Sequence, residues 1–150
     1  MKKIKVIGLF LGVLLSMSLS LSSCHKSLDW NKEMFGVKEF LTSKDAQTKC
    51  GEEAAVEGLI VNIKGVINTD YLYEDGRFEL FDIENTDYKI EVLPRDEIQN
   101  EVYEKVQGMN NQVVSIRAVV KGFDAPTNFT CSRILYLYLL NVEDISTDIN

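Results

Sequence analysis

The sequence predicts a mainly β domain that contains one helix and is preceded by a helical segment. Five stretches between Val56 and Val142 are rich in β-branched and aromatic residues, and several alternate apolar with polar residues, as half-buried strands do. Glycine, proline, asparagine and aspartate separate these stretches. One further stretch, 96–108, has the period of a helix instead.

The segment before the first strand also has a helical period. Apolar residues recur from Trp30 to Thr48, mostly on one face of a helix, and Asp29 is suited to the N-cap position. We therefore expect one helix, or two short helical pieces, over 30–49. A polar tether, 24–29, precedes it.

The strands and the internal helix follow in a definite order. We predict strands over 56–63, 77–83, 88–92, 113–121 and 133–142, with the helix of 96–108 between the third and fourth strands. Pro94 ends the third strand, and Gly108 suits the end of the helix. The last residues, 143–150, are expected to form a frayed tail. Because the fifth strand is apolar on both faces, we expect the segment 30–48 to cover its outer face.

The charge of the chain argues against nucleic acid as a partner. Three of the 16 basic residues lie before Cys24, so 13 basic and 23 acidic residues remain from Cys24 onward. A surface with a net charge of about −10 repels phosphate backbones and anionic lipid headgroups. The 127 residues from Cys24 onward are enough for one compact domain and too few for two.

The first residues have the layout of a secretory signal. An apolar run, 6–15, is too short to span a bilayer comfortably, and it is followed by serines and leucines. A positive start precedes this run, made of Lys2, Lys3 and Lys5. This pattern predicts an exported protein.

The end of the signal is similar to that of bacterial lipoproteins. The sequence Leu21-Ser22-Ser23-Cys24 resembles their lipobox. The resemblance implies removal of the signal peptide, 1–23, and anchoring of the protein to a membrane through palmitate-type chains on Cys24. An Asp after the acylated cysteine would suggest retention in the inner membrane, so a His there favours the outer membrane. An ordinary signal peptide with a chance cysteine and an uncleaved anchor helix remain the alternatives.

Two cysteines remain after Cys24 is assigned to the lipid. In an oxidising compartment, Cys50 and Cys131 are expected to form a disulfide. Two separate buried thiols are the alternative.

Three sequence blocks resemble the OB-fold, including the tRNA-anticodon-like OB domains of bacterial lipoproteins. They are Val-Glu-Gly-Leu-Ile at 56–60, Gly-Arg-Phe-Glu-Leu-Phe-Asp at 76–82 and Val-Ser-Ile-Arg-Ala-Val-Val-Lys-Gly at 114–122. The resemblance covers about 54–146 within a domain of 50–150. It implies a five-stranded Greek-key barrel with one helix between strands 3 and 4. In such a barrel the first and fourth strands are antiparallel neighbours, so Cys50 and Cys131 fall at one pole.

The same resemblance implies a binding face on the second and third strands and the adjoining loop. The candidate ligand-binding residues there combine aromatic rings with cations, and they are Tyr71, Tyr73, Arg77, Phe81 and Lys89. Acidic residues lie among them, so we expect a protein, peptide or glycan partner. A single-stranded oligonucleotide is the alternative ligand, and nucleic acid is the less favoured one because of the charge.

No pattern in the sequence indicates catalysis or a cofactor. A single histidine, no nucleophile elbow and no glycine-rich phosphate loop leave no catalytic residue to name. Acids in the loop around Asp70 and in the turn around Asp82 could gather calcium, but neither set has EF-hand spacing. We therefore expect a non-enzymatic binding module of the cell envelope, without a metal.

Overall fold

The structure is a computed structural model that describes residues 28–149. The predicted signal peptide, the lipid site at Cys24 and the first residues of the tether lie outside the described residues. Within 28–149 the chain is mainly β, as predicted, and its strands form one seven-stranded sheet.

The elements follow in chain order. They are β1 (Met34–Gly36), α1 (Val37–Thr42), β2 (Ile60–Leu72), β3 (Phe78–Phe81), β4 (Lys89–Pro94), α2 (Gln99–Gln107), β5 (Val113–Pro126), β6 (Cys131–Leu139) and β7 (Ile145–Ser146). Short 3₁₀ helices precede α2 at Asp96–Ile98 and β7 at Val142–Asp144. Among the described residues, no helix is long and apolar enough to cross a membrane.

The sheet is closed in part into a ring. Its strand order is β1-β2-β3-β4-β6-β5-β7, and β2 also pairs with β5. The β2–β5 pairing is antiparallel and runs from Ile60 opposite Val119 to Val66 opposite Val113. The strands β4 and β6 pair in parallel, with Val92 opposite Leu137. The β2–β5 pairing confirms the antiparallel pairing that was expected of the first and fourth predicted strands.

Strand alternation places the core inside this ring. Alternate residues of β2 point inward, and Val61, Ile63 and Ile67 have no exposed surface. The helix α2 adds Val102 and Val106, which are also fully buried. Burying such side chains stabilises the fold by about 2 kcal/mol each.

A glycine lets β2 pass close to β3. A Cβ added at Gly65 would lie 2.5 Å from the carbonyl oxygen of Phe81 and 2.7 Å from Cγ of Leu80. No side chain fits in that space, so the close approach of the two strands requires glycine here.

The prediction for the N-terminal segment is wrong over most of its length. A helix forms only at Val37–Thr42, and Met34–Gly36 form β1, which pairs in parallel with β2. The apolar period reflects burial of a ring cluster, in which the Trp30 centroid lies 4.4 Å from that of Phe35 and 5.6 Å from that of Phe40. Tertiary packing and strand pairing therefore override the helical period.

The same segment does not cover the outer face of β6, contrary to our expectation. Its strand β1 pairs with β2, and its helix α1 contacts β2 and β4. The outer face of β6 remains partly exposed, with Ile134 at 43%, and Lys121 of the neighbouring strand β5 places its Nζ 3.6 Å from the ring centroid of Tyr138. The ring of Phe123 is 6.2 Å from that of Tyr136.

Several strand ends also differ from the predictions. The first predicted strand begins only at Ile60, after a turn in which Gly58 has a φ of +82°, and it continues into the predicted loop. The strand β5 continues to Pro126 and β6 begins at Cys131, so both extend into the loop that was predicted between them. The tail is ordered as far as β7, because Ile145 is 1% exposed and pairs with β5.

Candidate binding surface

The five predicted binding residues lie together on the outward face formed by the end of β2, by β3 and β4, and by the turn before β3. The ring centroids of Tyr71 and Phe81 are 5.2 Å apart. Strand register places Lys89 opposite Phe81, and its Nζ lies 5.2 Å from the Tyr71 ring centroid and 5.8 Å from that of Phe81. These three residues form one half of the surface.

The other half is a tight turn between β2 and β3. The backbone N–H of Tyr73 donates to the carbonyl of Arg77 at 2.9 Å, and the Arg77 guanidinium lies 4.8 Å from the Tyr73 ring centroid. Gly76, with a φ of +76°, makes the turn possible. A Cβ at that position would lie 2.5 Å from the carbonyl oxygen of Gln99, so α2 fixes the turn from behind. We call Tyr71, Tyr73, Arg77, Phe81 and Lys89 together the aromatic–ionic patch.

Carboxylates on the same face hold both cations of the patch. Register places Glu79 directly opposite Glu91, an arrangement that is unfavourable for like charges without compensation. Lys89 donates to both oxygens of Glu79 at 2.8 and 2.9 Å. Arg77 donates to Glu91 at 3.3 Å and to Asp75 at 2.8 Å.

These ion pairs keep both cations charged. The hydrogen bond to Asp75 raises the pKa of Arg77, and the hydrogen bond to Glu79 raises the pKa of Lys89. Both side chains are more than a third exposed, so the pairs orient the cations and contribute little to stability.

The chemistry of the patch is that of a recognition surface. Tyr71 and Tyr73 are 39% and 44% exposed, so their rings are open to a partner. Aromatic faces of this kind stack on apolar or planar groups, and the oriented ions beside them can hydrogen-bond to amides or hydroxyls. No positive channel is present on this face among the described residues, since Asp75, Glu79 and Glu91 outnumber the two cations.

The acids that we considered for calcium are arranged differently. Asp82 is 6% exposed, and its carboxylate accepts backbone N–H groups of Lys38 at 2.8 Å and of Glu84 and Asn85 at 3.1 Å. Burial acts to raise the pKa of Asp82, but these donors outweigh it and lower the pKa below its ordinary value. Asp82 therefore ties α1 to the β3–β4 turn. Within 28–149, no group of three or more histidine, cysteine or acidic side chains could hold a metal.

The predicted disulfide is confirmed, and ion pairs that no sequence pattern indicated lie beside it. Cys50 and Cys131 are bonded, with their Cα atoms 5.6 Å apart. Close by, Arg133 donates to Glu57 at 2.6 and 2.9 Å and to Asp124 at 3.2 Å. The hydrogen bond from Arg133 is the main cause that lowers the pKa of Glu57. Glu57 and Arg133 are 76 residues apart, so no local pattern could have paired them.

Two comparisons of the sequence found no match. The chain matches no protein family, and no curated protein is similar to it in sequence.

A recess lies beside Lys64 of β2. It has a volume of about 430 Å³ and lies between α1 and the β3–β4 turn. Lys38 and Lys64 line it together with Glu39, Asp82 and Glu84. Sequence reasoning did not find this recess, because α1 and β1 were not predicted where they are. Its mixed charges favour no single ligand chemistry.

Proposed function

We propose that this protein is a lipid-anchored, non-enzymatic binding module of the bacterial cell envelope. Its partner is a protein, a peptide or a glycan that docks on the aromatic–ionic patch. The observation that carries this proposal is the grouping of exposed tyrosine rings with two cations that carboxylates already hold in place. Because these contacts already order the side chains, little side-chain entropy is lost when a partner binds.

The anchor is proposed on the sequence around Cys24. A lysine-rich start, a short apolar run and the lipobox-like Leu21-Ser22-Ser23-Cys24 support export and acylation. The folded part begins soon afterwards, since Trp30 is already in the core at 6% exposed. His25 favours the outer membrane.

An OB-fold is proposed for the part of the sheet from β2 to β6. In support, the strand order β2-β3-β4-β6-β5 with β2 returning to β5 makes a partly closed barrel of five strands. The parallel β4–β6 pair and the position of α2 between β4 and β5 agree with that topology. The strands β1 and β7 are additions at its edges. The patch then falls on the second and third strands of the barrel, where OB-folds bind ligands.

An oligonucleotide is the second candidate ligand because OB-folds often bind single strands. The aromatic rings favour it, and the carboxylates of the patch oppose it. A salt series separates the two cases, since phosphate contacts make affinity fall steeply with salt. If the partner is a protein, a peptide or a glycan, the protein should not bind oligonucleotides, even at low salt.

The test is capture of a partner by the acylated protein from crosslinked envelopes. The native chain is compared with a Tyr73→Ala/Phe81→Ala variant and with a Tyr103→Ala control, which removes an aromatic ring from α2. We expect one partner with the native chain and the control, and its loss with the double variant. A partner that all three capture would contradict the assignment to the patch. If all three capture no protein, a glycan array with the same three chains replaces envelopes, and equal results for all three contradict the proposal.

A further inference from the structure

The β5–β6 hairpin ends in a turn that displays an apolar ring. Phe129 is 96% exposed at the tip. The turn is held by Thr127, whose N–H donates to the carbonyl of Thr130 at 2.6 Å and whose hydroxyl accepts the N–H of Thr130 at 2.9 Å. The ring is therefore displayed by a fixed turn rather than by a loose loop.

The hairpin is braced along one side. The disulfide joins its second strand to Cys50, and the carboxylate of Asp124 in its first strand accepts the backbone N–H of Gly51 at 3.2 Å. Arg133 adds its ion pair with Glu57, whose side chains are 13% and 8% exposed. Strand register places Cys131 opposite Pro126 and Arg133 opposite Asp124, so these contacts brace the hairpin next to its turn.

The hairpin and the N-terminus leave the barrel at the same pole. Because β1 runs parallel to β2, the chain enters at the end where β2 begins. Because β5 runs antiparallel to β2, β5 leaves at that end too. The N–H of Gly58 donates to the carbonyl of Val120 at 2.9 Å, so the residues after Val120 extend beyond the start of β2.

The lengths of the hairpin and of the N-terminal tether can be compared. From Cys24 to Leu28, where the described chain begins, an extended backbone spans at most about 14 Å. The strand from Lys121 to Pro126 spans about 17 Å. The hairpin is thus longer than the tether that would hold its pole to a bilayer.

The tip also lacks charge. No charged residue occurs in 125–132, in a chain of which 26% of the residues are charged. The nearest charged residues on either side, Asp124 and Arg133, form an ion pair at 3.2 Å, so their charges offset each other. An uncharged tip with an aromatic ring suits the interface of a bilayer, where aromatic side chains are enriched.

We propose that the β5–β6 hairpin is a second membrane contact, with Phe129 in the interface of the bilayer that carries the lipid on Cys24. This inference rests on the proposed lipid anchor. The aromatic–ionic patch would then face away from the membrane, because it lies at the opposite end of β2.

The test reproduces the tether chemically. With Cys50 and Cys131 bonded, Cys24 is the free thiol of the mature chain, 24–150, which retains all of the described core. That thiol is coupled to a maleimide-headgroup lipid in phosphatidylcholine vesicles. The reporter is a Phe129→Trp variant, and the fluorescence of the unsubstituted chain, whose Trp30 is buried, is subtracted as background.

On coupling, we expect the emission of the new tryptophan to shift to the blue and to be quenched by brominated phosphatidylcholine. A matched Tyr73→Trp variant, at the opposite pole, should show neither change. Emission at position 129 that stays unshifted and unquenched overturns the proposal. A blue shift without quenching by brominated lipid indicates contact between copies and also overturns it.

This result is independent of whether bacteria acylate Cys24. Acylation is tested separately, by the mass of the protein purified from its native membrane. A mass without acyl chains would remove the proposed anchor, even if the vesicle experiment succeeds. Quenching at position 129 together with an acylated mass supports both proposals.

Discussion

Removing the disulfide should lower the stability of the domain by several kilocalories per mole. A Cys50→Ala/Cys131→Ala variant deletes a cross-link between residues 81 positions apart. For a loop of that length, the chain-entropy relation gives a loss of about 4.5 kcal/mol in the free energy of unfolding. Domains of this size are stable by about 5–15 kcal/mol, so the variant would lose a large part of its stability.

The effect of the cross-link on stability can be separated from the effect of lost side-chain packing, because Cys131 is exposed and its truncation leaves no core cavity. Urea unfolding gives the free energy for the oxidised wild type, the reduced wild type and the double variant. We expect the last two to agree with each other and to fall below the first by about 4.5 kcal/mol. A difference below about 1 kcal/mol would refute the loop-entropy reasoning. It would show that Glu57 and Arg133 hold the same ends together without the covalent bond.

Three further predictions concern single side chains. Gly65→Ala should cost about 3 kcal/mol in urea unfolding, because its Cβ meets β3, whereas the control Gly108→Ala should be neutral or stabilising. In the wild type, ionised Asp82 stabilises the fold at pH values above about 4, which is the pKa of its carboxyl in the unfolded chain. This stabilisation is lost as the pH falls through the lowered pKa that the carboxyl has in the folded protein. Asp82→Asn should cost about 2 kcal/mol at pH 7 and flatten the acid limb of the stability curve. A double-mutant cycle with Glu57→Gln and Arg133→Met should give a coupling of about 2 kcal/mol.

Each of these has a result that would contradict it. Equal stability of the two glycine variants would mean that β2 and β3 can separate without cost. If the Asp82→Asn variant loses stability at acid pH in the same way as the wild type, other carboxylates cause the pH dependence. A coupling near zero would mean that the Glu57–Arg133 pair contributes no more than an exposed ion pair.

Local alternation carried most of the information that the sequence holds about this fold. In β4, Lys89 and Glu91 alternate with buried Ile90 and Val92, so which residues point outward followed from the sequence alone. The candidate patch could be named for the same reason, since Phe81 and Lys89 sit at outward positions of adjacent strands.

Other features depend on contacts between distant residues. The apolar spacing around Phe35 fits a helix, but the free edge of β2 recruits Met34–Gly36 as a strand. Ile145 looked like part of a polar tail, and its burial follows from a two-residue pairing with β5. The turn at Gly58 required a positive φ, which moved the start of β2 beyond the predicted position. Neither β1 nor Ile145 lies near its pairing partner in the sequence.

The position of the disulfide has a mechanical consequence. Cys50 precedes β2 and Cys131 begins β6, so the bond encloses 51–130 in a covalent loop. A pull between the N-terminus and the C-terminal end would pass from Cys50 directly to Cys131 and bypass that loop. Of the described residues, only those outside the loop, 28–49 and 132–149, could be drawn out by such a pull, and strand pairing of β1, β6 and β7 holds them. Under tension the extension would therefore be limited to these two flanking segments, because the disulfide keeps 51–130 out of the path of the load.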